Sequence, residues 1–476
     1  MRNKINQKKF AIALLIYALA GLSSIKVFAN DLLINKGETL TLERCINIAI
    51  SKNPNINLGN NLTKINQSKI GQAKSFYMPQ VNLSTGYSRE NPITNSVIDK
   101  TTNQYSGSIG VNQLIYDFGK TPTKIKIEKL NLNASRSDVQ NTIVDVSYNV
   151  KQAYYQALSA KLNSDIADKS IKQYENHLKQ SKAFFQAGVK PKIDVINAEV
   201  NLGNAKLNYI KANNGYQLAI ASLNQAMGFY DAPEYNIADA VNYNNNAVDE
   251  LSISNKDNKK NNGNTVNKPV ITSKIVKNDI IEKLNFDKYD ISLDLAIKKA
   301  FDNRPDLKSL LLKEKASDTS VKLAKKDYYP TLSGFANYGA GGNKFPVDNG
   351  WALGANINVP VFNGFLTKNK INEAKANLDV AKSEVEILKQ NIYYEVQQAY
   401  INLTQAEKRI PVSNLIVKQA KENLELANGR YTAGVGDFVE LQDAEVNFNN
   451  AQLSYVQSLY DYNTARSNLE KAMGVK

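Results

Sequence analysis

The chain carries two copies of one long sequence pattern, and this duplication restricts it to folds built from two equivalent halves. Three short motifs recur at a constant displacement of 246 positions: Ala187-Gly188-Val189 with Ala433-Gly434-Val435, Ala198-Glu199-Val200-Asn201 with Ala444-Glu445-Val446-Asn447, and Ala226-Met227-Gly228 with Ala472-Met473-Gly474. Upstream, Asn53-Pro54 corresponds to Arg304-Pro305 at a displacement of 251. A repeat of roughly 180 residues is too long for a solenoid unit, so we interpret it as a duplicated half-molecule.

Each copy contains a long stretch without glycine, which predicts an unusually long helix. No glycine occurs between Gly119 and Gly188, or between Gly364 and Gly429. Apolar residues recur in these stretches at spacings of three and four. A helix of about 60 residues would be about 90 Å long. Each stretch ends at a glycine-containing turn and is followed by a return helix, so we predict two long helical hairpins that pack as coiled coils.

Alternating segments before each long helix predict a pair of β-strands. Val81, Leu83 and Tyr87 alternate with small polar residues, and a similar alternation runs from Trp351 to Val359. One apolar face and one small polar face suit a wall between lipid and water. A half-buried sheet in a soluble protein produces the same alternation, so the pattern alone leaves both alternatives open.

The first 29 residues have the features of a signal peptide. Basic residues precede an apolar run from Phe10 to Leu22, and Val27-Phe28-Ala29 suits cleavage after Ala29. The alternative is a membrane anchor, but the run is shorter than the roughly 20 residues that a span needs. We therefore expect the chain to be exported.

The composition disfavours most enzyme chemistry. The 476 residues include one histidine, His177, and one cysteine, Cys45, which leaves no disulfide and no Cys/His metal cluster within a chain. We expect no enzymatic activity, no cofactor and no structural metal ion. His177 is predicted to be an exposed helix residue, and Cys45 a buried residue of small apolar character. The net charge is +14, but the lysines are spread along helices without stacking aromatics, so we expect no nucleic-acid partner.

Four strands per chain are too few to close a membrane sheet. Unpaired strand edges are not tolerated in lipid, and closure takes at least about eight strands. If these strands enter a membrane, several chains must share one barrel, with the helical hairpins aligned below it as a tube. The strand count does not by itself select three chains.

These features together resemble the TolC family of outer-membrane efflux and secretion channels, over nearly all of the mature chain. The resemblance is carried by the duplicated order of the tip motifs together with Asn303-Arg304-Pro305-Asp306-Leu307, Leu114-Ile115-Tyr116-Asp117-Phe118-Gly119 and Val361-Phe362-Asn363-Gly364. It implies a mixed fold, all-α apart from a membrane β-barrel, in which a homotrimer forms a 12-stranded β-barrel in the outer membrane and an α-helical tunnel in the periplasm. It also implies a periplasmic adaptor protein, an inner-membrane transporter and outer-membrane lipid as partners.

The predicted domain organisation follows the duplication. Residues 1–29 are the signal peptide, and 30–228 form a first structural repeat with a β-hairpin at about 79–115 and a helical hairpin at about 122–228. Residues 229–290 form an equatorial segment, whose Asn- and Lys-rich part from Tyr243 to about Lys277 is predicted to be disordered. Residues 291–476 form a second repeat, with a β-hairpin at about 330–361 and a helical hairpin at about 366–474.

The resemblance implies a cation-binding acidic ring at the tunnel entrance, at Glu440 and Asp443. These residues lie three positions apart, and therefore on one helical face. Three chains would bring six carboxylates together and produce a strong negative field that favours cations. An ordinary solvated helix face is the alternative that the spacing alone leaves open.

The resemblance also implies a closed-state lock and an adaptor-docking surface. The lock is a bond between Tyr431 and Asp194. The family's second lock residue, an arginine, corresponds to Gly436, and Arg430 is the nearby candidate to replace it. The docking surface consists of the two tips, at Gly188-Val189 and Gly434-Val435, where we expect both glycines to supply left-handed or close-approach turn geometry. Pro411 departs from the family pattern and is expected to kink the second long helix.

The sequence therefore predicts the channel-tunnel of a tripartite efflux pump or of a type I secretion system, which passively conducts small molecules or polypeptides from the periplasm to the exterior. The motif that binds nucleotide phosphates, Gly-x-x-x-x-Gly-Lys-Ser/Thr, is absent from the sequence, which agrees with a passive role. The alternative is a periplasmic coiled-coil protein with a structural or adhesive role that conducts nothing.

Overall fold

A computed structural model of the chain describes residues 34–91, 101–238 and 287–475. The predicted signal peptide and the segment predicted to be disordered lie outside the described residues. The first half consists of β1 (Thr39–Leu40), α1 (Leu42–Lys52), α2 (Pro54–Ser75), β2 (Gln80–Glu90), β3 (Thr102–Tyr116), α3 (Lys120–Gln186), α4 (Lys192–Met227) and β4 (Asn236–Ile237).

The second half repeats the same order of elements. It consists of α5 (Leu293–Asn303), α6 (Pro305–Lys325), a 3-10 turn (Lys326–Tyr328), β5 (Thr331–Gly342), β6 (Asp348–Asn358), α7 (Leu366–Thr432) and α8 (Phe438–Ala472). The predicted strand pairs and long helical hairpins are therefore present in both halves.

The Asn-Pro and Arg-Pro positions make equivalent contacts in the two halves. Pro54 and Pro305 each open a helix at its first turn, where a missing N–H costs nothing. The Asn53 side chain donates to the Ala226 carbonyl at 3.1 Å, and Arg304 Nη1 donates to the Ala472 carbonyl at 3.3 Å. Each contact thus joins the start of a helix of medium length, α2 or α6, to the end of a return helix, α4 or α8.

The two long helices, α3 and α7, have 67 residues each. At the usual rise per residue this corresponds to about 100 Å. α7 continues through Pro411, so the proline does not end the helix. Ser413, two residues later, donates through its hydroxyl to the Arg409 carbonyl at 2.9 Å. None of the helices in the described ranges combines the length and apolar composition that a membrane span needs.

The four long strands form one antiparallel sheet in the order β2-β3-β5-β6, so the two halves contribute adjacent hairpins. Residues paired across the sheet share a face. One face carries rows such as Leu83, Ile109, Tyr338, Trp351 and Val81, Val111, Ala336, Leu353. The opposite face carries rows such as Ser84, Ser108, Gly339, Gly350. The sheet thus has one apolar and one small polar face, and β2 and β6 are its edges.

The main core lies where the two halves meet around the middle of the long helices. Cys45 is fully buried there, as predicted, and burial raises the pKa of its thiol to about 12. Tyr154 is also fully buried, and its hydroxyl donates to the Leu40 and Ala238 carbonyls at 3.1 and 2.5 Å. These bonds fix the parallel β1–β4 pair against α3.

Candidate functional site at the helical tips

The two tips, residues 187–191 and 433–437, have the same backbone geometry. Gly188 has a φ of 72° and Gly434 a φ of 79°, which confirms the predicted left-handed conformation. In the first tip, Val189 N donates to the Phe184 carbonyl at 2.9 Å, and in the second tip Val435 N donates to the Arg430 carbonyl at 3.1 Å. With the shorter-range bonds from each glycine N–H, both turns are Schellman motifs.

These turns leave an apolar side chain exposed at each tip. Val189 is 60% exposed and Val435 is 71% exposed. An ordered turn with a solvent-facing apolar side chain is suited to contact with another protein. The four residues predicted to form a docking surface therefore lie at the extreme ends of the two helical hairpins.

Glu440 and Asp443 are exposed on the first turns of α8. The Asp437 side chain caps this helix by accepting a hydrogen bond from the Glu440 backbone N–H at 2.7 Å. Arg430, at the end of α7, approaches Glu440 with 3.0 Å between Nε and Oε1. One of the two carboxylates thus has a cationic partner within the same hairpin, which the sequence did not indicate.

Tyr431 lies at the centre of a small apolar cluster under the tips. Its fully buried ring packs edge-on against Phe184 and Phe438, with ring centroids 5.9 and 6.0 Å apart. The hydroxyl is within 3.3 Å of Ser181 Oγ. Burial raises the pKa of Tyr431, the Ser181 bond lowers it, and the charge of Asp194 raises it.

The hydrogen-bond partner of the Tyr431 hydroxyl in this structure is Ser181, and the Tyr431–Asp194 bond of the closed state stays a prediction. Asp194 is nevertheless a close neighbour, buried in the first turn of α4. Burial raises the pKa of its carboxyl, the charge of Lys190 opposes that shift, and Asp437 reinforces it. The structure therefore brings the two predicted lock residues into one cluster, with Ser181 as the hydrogen-bond partner.

Lys190 of the first tip contacts Gly436 of the second tip, the residue that corresponds to the lock arginine implied by the family resemblance. Its Nζ donates to the Gly436 carbonyl at 2.9 Å and lies 5.1 Å from the centre of the Tyr431 ring. A Cβ at position 436 would lie 3.0 Å from the Arg430 backbone, so a side chain there would force the turn apart. Arg430 is engaged with Glu440, so it is Lys190 that makes the contact between the tips.

The prediction for His177 was wrong. Its side chain is only 12% exposed, and Nε2 lies 2.5 Å from Oε1 of Glu445, which is 4% exposed. Gln173 Nε2 donates to the same carboxylate oxygen at 3.1 Å. Burial together with the Glu445 charge raises the pKa of the neighbouring Tyr174. This polar cluster joins α3 of the first half to α8 of the second.

One sequence signal could have indicated the cluster. Glu445 belongs to the repeated Ala-Glu-Val-Asn motif, and its counterpart Glu199 forms an exposed ion pair with Lys182 at 3.0 Å. A glutamate that recurs at the same place in both halves is a candidate for a paired residue. Within the described residues, no group of three or more His, Cys, Asp or Glu side chains is arranged to hold a metal ion.

Comparison with known proteins identifies related chains. Residues 46–229 and 296–475 match the model of a family described as "Outer membrane efflux protein". The chain is 24% identical over 421 residues to the outer membrane protein TolC of Escherichia coli, covering 85% of this chain and 76% of that protein. It is 20% identical over 379 residues to the antibiotic efflux pump outer membrane protein ArpC of Pseudomonas putida, covering 78% of this chain and 69% of that protein.

A solved structure shows the same fold. The crystal structure of the Campylobacter jejuni CmeC outer membrane channel superposes with a TM-score of 0.70 at 18% identity. The superposition covers 95% of this chain and 93% of that one. The predicted fold class is thereby confirmed.

Proposed function

Because the chain belongs to the outer membrane efflux protein family, we propose that three copies form a passive export conduit across the outer membrane, with the long helices as a tunnel in the periplasm. The observation that carries the proposal is the two-faced sheet of four strands, whose edges β2 and β6 have no partner among the described strands. Pairing β6 of one copy with β2 of the next satisfies both edges. Three copies then supply the twelve strands that the family resemblance implies.

The exposed apolar surface of the helices supports assembly. Along α7, the exposed residues Val380, Ile387, Tyr394 and Ile401 are spaced by seven positions. Along α4, the exposed residues Ile193, Val200 and Leu207 have the same spacing. Heptad spacing of exposed apolar residues is typical of a coiled-coil seam, and a stripe this long needs a covering surface. We propose that α-helices of the neighbouring copies pack against these apolar residues.

Conductance in planar bilayers tests the conduit. Purified full-length protein is expected to form channels whose conductance rises with salt concentration, and the protein in detergent is expected to have the mass of a trimer. Stable trimers that form no channels in bilayers would favour the alternative, a periplasmic coiled-coil protein with a structural or adhesive role.

We further propose that the tips dock a periplasmic adaptor protein, which connects the tunnel to an inner-membrane transporter. The support is the pair of matching Schellman turns, each with an exposed valine, at the ends of both hairpins. Two equivalent turns per chain would present six similar contact points in a trimer. The adaptor is thus expected to present a repeated binding surface that matches these six contact points.

Gly434→Trp tests the docking surface. The substitution adds a large side chain at a residue with positive φ, in open space, so it should alter the turn and obstruct a partner without disturbing the helices. Export, measured as resistance to toxic compounds in a deletion strain, is expected to be lost while the trimer level is unchanged. Gly429→Trp, at an exposed glycine one turn earlier in α7, is the control. Full resistance in Gly434→Trp would contradict docking at this tip.

A further inference from the structure

Lysines are concentrated where the strands of the sheet join the helices. We define the junction belt as residues 74–79, 114–126, 325–330 and 359–370, the four segments at this end of the sheet. Together they contain eight lysines and two aspartates. At the opposite end of the sheet, the described residues 89–91, 101–102 and 343–348 contain two basic and two acidic residues. Among the residues that the structure describes, excess positive charge is thus found at one end of the sheet.

Several of these lysines occupy helix positions that are electrostatically unfavourable. Lys120 and Lys124 lie in the first two turns of α3, and Lys368 and Lys370 lie in the first two turns of α7. Helix N-termini carry partial positive charge and favour acidic residues, and neither helix has an acidic residue in its first turn. The helices alone do not account for this placement. Asp327 is an anionic partner for Lys120 and Lys370, which leaves Lys124 and Lys368.

The two aspartates of the junction belt offset only a quarter of the charge of its eight lysines. The Asp117 carboxylate is occupied by the backbone N–H groups of Gly119, Lys120 and Thr121, at 3.1, 3.1 and 2.6 Å. Asp327 lies between Lys120 at 2.5 Å and Lys370 at 3.7 Å. No ion-pair partner is recorded within the described residues for the exposed Lys124, Lys126, Lys325 and Lys368.

Exposed aromatic rings accompany the lysines. Each half has two consecutive left-handed residues at its strand-to-helix junction, Phe118-Gly119 and Gly364-Phe365. A phenylalanine is strained in this conformation. Its ring nevertheless stays exposed in both halves, to 41% at Phe118 and 62% at Phe365. Phe118 and Phe365 therefore place their rings on the surface of the protein rather than in its core.

The rings and the ammonium groups form one mixed surface. Lys124 Nζ lies 4.6 Å from the centre of the Phe76 ring, and Lys368 Nζ lies 5.9 Å from the centre of the Phe365 ring. A cleft of about 250 Å³ opens beside them, lined by Tyr77, Leu114, Ile115, Tyr116, Asp117, Phe118, Gly119 and Pro122. A cleft with both apolar and polar lining, on a surface that also carries lysines, suits an amphiphile with an anionic head.

From this arrangement we propose that the junction belt binds anionic phospholipid headgroups at the periplasmic edge of the outer membrane. The proposal rests on the proposed placement of the sheet in that membrane, where the apolar face with Leu83 and Trp351 meets the acyl chains. Lysines would pair with the lipid phosphates, and the aromatic rings would lie at the level of the headgroups and glycerol. The asymmetry between the two ends of the sheet would then fix the depth of each chain in the bilayer.

Lipid retention by the purified trimer tests the proposal. Delipidated full-length protein is exposed to mixed micelles of phosphatidylglycerol and phosphatidylcholine with identical acyl chains, and the bound lipids are counted by native mass spectrometry. The wild type is expected to prefer phosphatidylglycerol, more strongly at low salt. Neutralising the free lysines (Lys124→Gln, Lys126→Gln, Lys325→Gln and Lys368→Gln) is expected to lower that preference by about tenfold or more.

A matched variant tests whether lipid preference depends on the lysines of the junction belt or on positive charge anywhere on the protein. It removes four exposed lysines from the tunnel helices (Lys179→Gln, Lys206→Gln, Lys211→Gln and Lys418→Gln) and should retain the wild-type preference. Equal loss in both variants, or no preference in the wild type, would overturn the proposal. Competition by inorganic phosphate at matched concentration would also overturn it, since the site would then bind free anions. Conductance, measured in parallel in phosphatidylcholine bilayers, reports on the channel independently of the junction belt.

Discussion

At the scale of single residues, Arg430 is expected to limit the negative charge of the predicted acidic ring. It pairs with Glu440, and both side chains are about half exposed, so the pair itself is weak. In a trimer, three guanidinium groups would offset half of the charge of the six carboxylates from Glu440 and Asp443. The proposed acidic ring is therefore weaker than its carboxylates alone suggest.

Arg430→Gln is expected to strengthen cation binding at the entrance. Removing three positive charges from a narrow ring should lower, several-fold, the concentration of a trivalent cation that half-blocks single channels. The double variant Glu440→Ala/Asp443→Ala should do the opposite and relieve block. Lys418→Gln makes the same change in charge on an exposed part of α7 away from the tip and is the control. Unchanged block in both entrance variants would place the ring on other residues.

The Tyr431 hydroxyl is expected to favour the closed tunnel through Ser181. If their bond exists only in the closed state, Tyr431→Phe should cost that state about 1 kcal/mol and raise the ratio of open to closed channels about fivefold. Ser181→Ala should have a similar effect, and the double variant should add little to either. Tyr230→Phe, at a fully exposed tyrosine, is the control.

Single-channel open probability distinguishes this lock from the one predicted from sequence. If Asp194→Ala reproduced the effect of Tyr431→Phe while Ser181→Ala did nothing, the Tyr431–Asp194 bond would be the functional one.

The sequence predicted the tip backbone but not the side-chain partners at the tips. The Ala-Gly-Val motif recurs at the end of both predicted long helices, so Gly188 and Gly434 could be identified as turn glycines from the repeat. Ser181 lies 250 positions from Tyr431 and meets it only through the rotation of α3 against α7. One sequence gives no measure of that rotation. The burial of His177 depends on the same kind of contact, between α3 and α8.

At the scale of secondary-structure elements, the His177–Glu445 pair joins the two helical hairpins. His177→Leu would leave the Glu445 carboxylate buried without its main partner. It is therefore expected to destabilise the α3–α8 contact by about 3 kcal/mol. The double variant His177→Leu/Glu445→Leu removes the buried charge as well and should recover much of that loss.

Hydrogen exchange of backbone amides in α3 and α8 around the pair measures the effect as local opening. The repeated motif supplies a control, because Lys182→Ala breaks the equivalent but exposed pair with Glu199 and should change protection little. Equal changes in His177→Leu and Lys182→Ala would show that burial of the pair contributes nothing.

Pro411 shows that the local effect of a proline does not by itself decide whether a packed helix continues. Proline inside a helix removes one hydrogen bond and crowds the preceding turn, which can kink the helix, as predicted for α7, or break it. α7 continues because its neighbours on both sides of Pro411 pack into the core: Ile410 and Val417 are buried, and Ser413 Oγ is within 2.9 Å of Ser458 Oγ on α8. Tertiary packing thus outweighs the local penalty.

At the scale of the whole molecule, the duplication, the sheet and the heptad stripes all require that further copies of the chain cover exposed edges and apolar surfaces. Two hairpins from one chain make a sheet with two free edges, and two helical hairpins leave apolar stripes on α4 and α7 uncovered. Rotational assembly of identical copies can satisfy both at once, because each copy offers two sheet edges and two apolar stripes to its neighbours. The sequence indicates this requirement, whereas the number of copies comes from the family.

Charged residues in the α7 stripe are expected to prevent assembly. Ile387→Asp/Ile401→Asp places two carboxylates per chain in a seam that buries isoleucine, and each buried isoleucine contributes about 1.5–3 kcal/mol. Loss of this contribution in three seams, with the added desolvation of the carboxylates, should convert the trimer into monomers with unpaired sheet edges and no conductance. Light scattering in detergent measures the mass, and Ile387→Val/Ile401→Val, which keeps the seam apolar, should remain trimeric. Because both residues are exposed in the isolated chain, the helices themselves should persist in the charged variant. A charged variant that stays trimeric would mean that the stripe lies outside the subunit contact, and another face of α7 would have to form it.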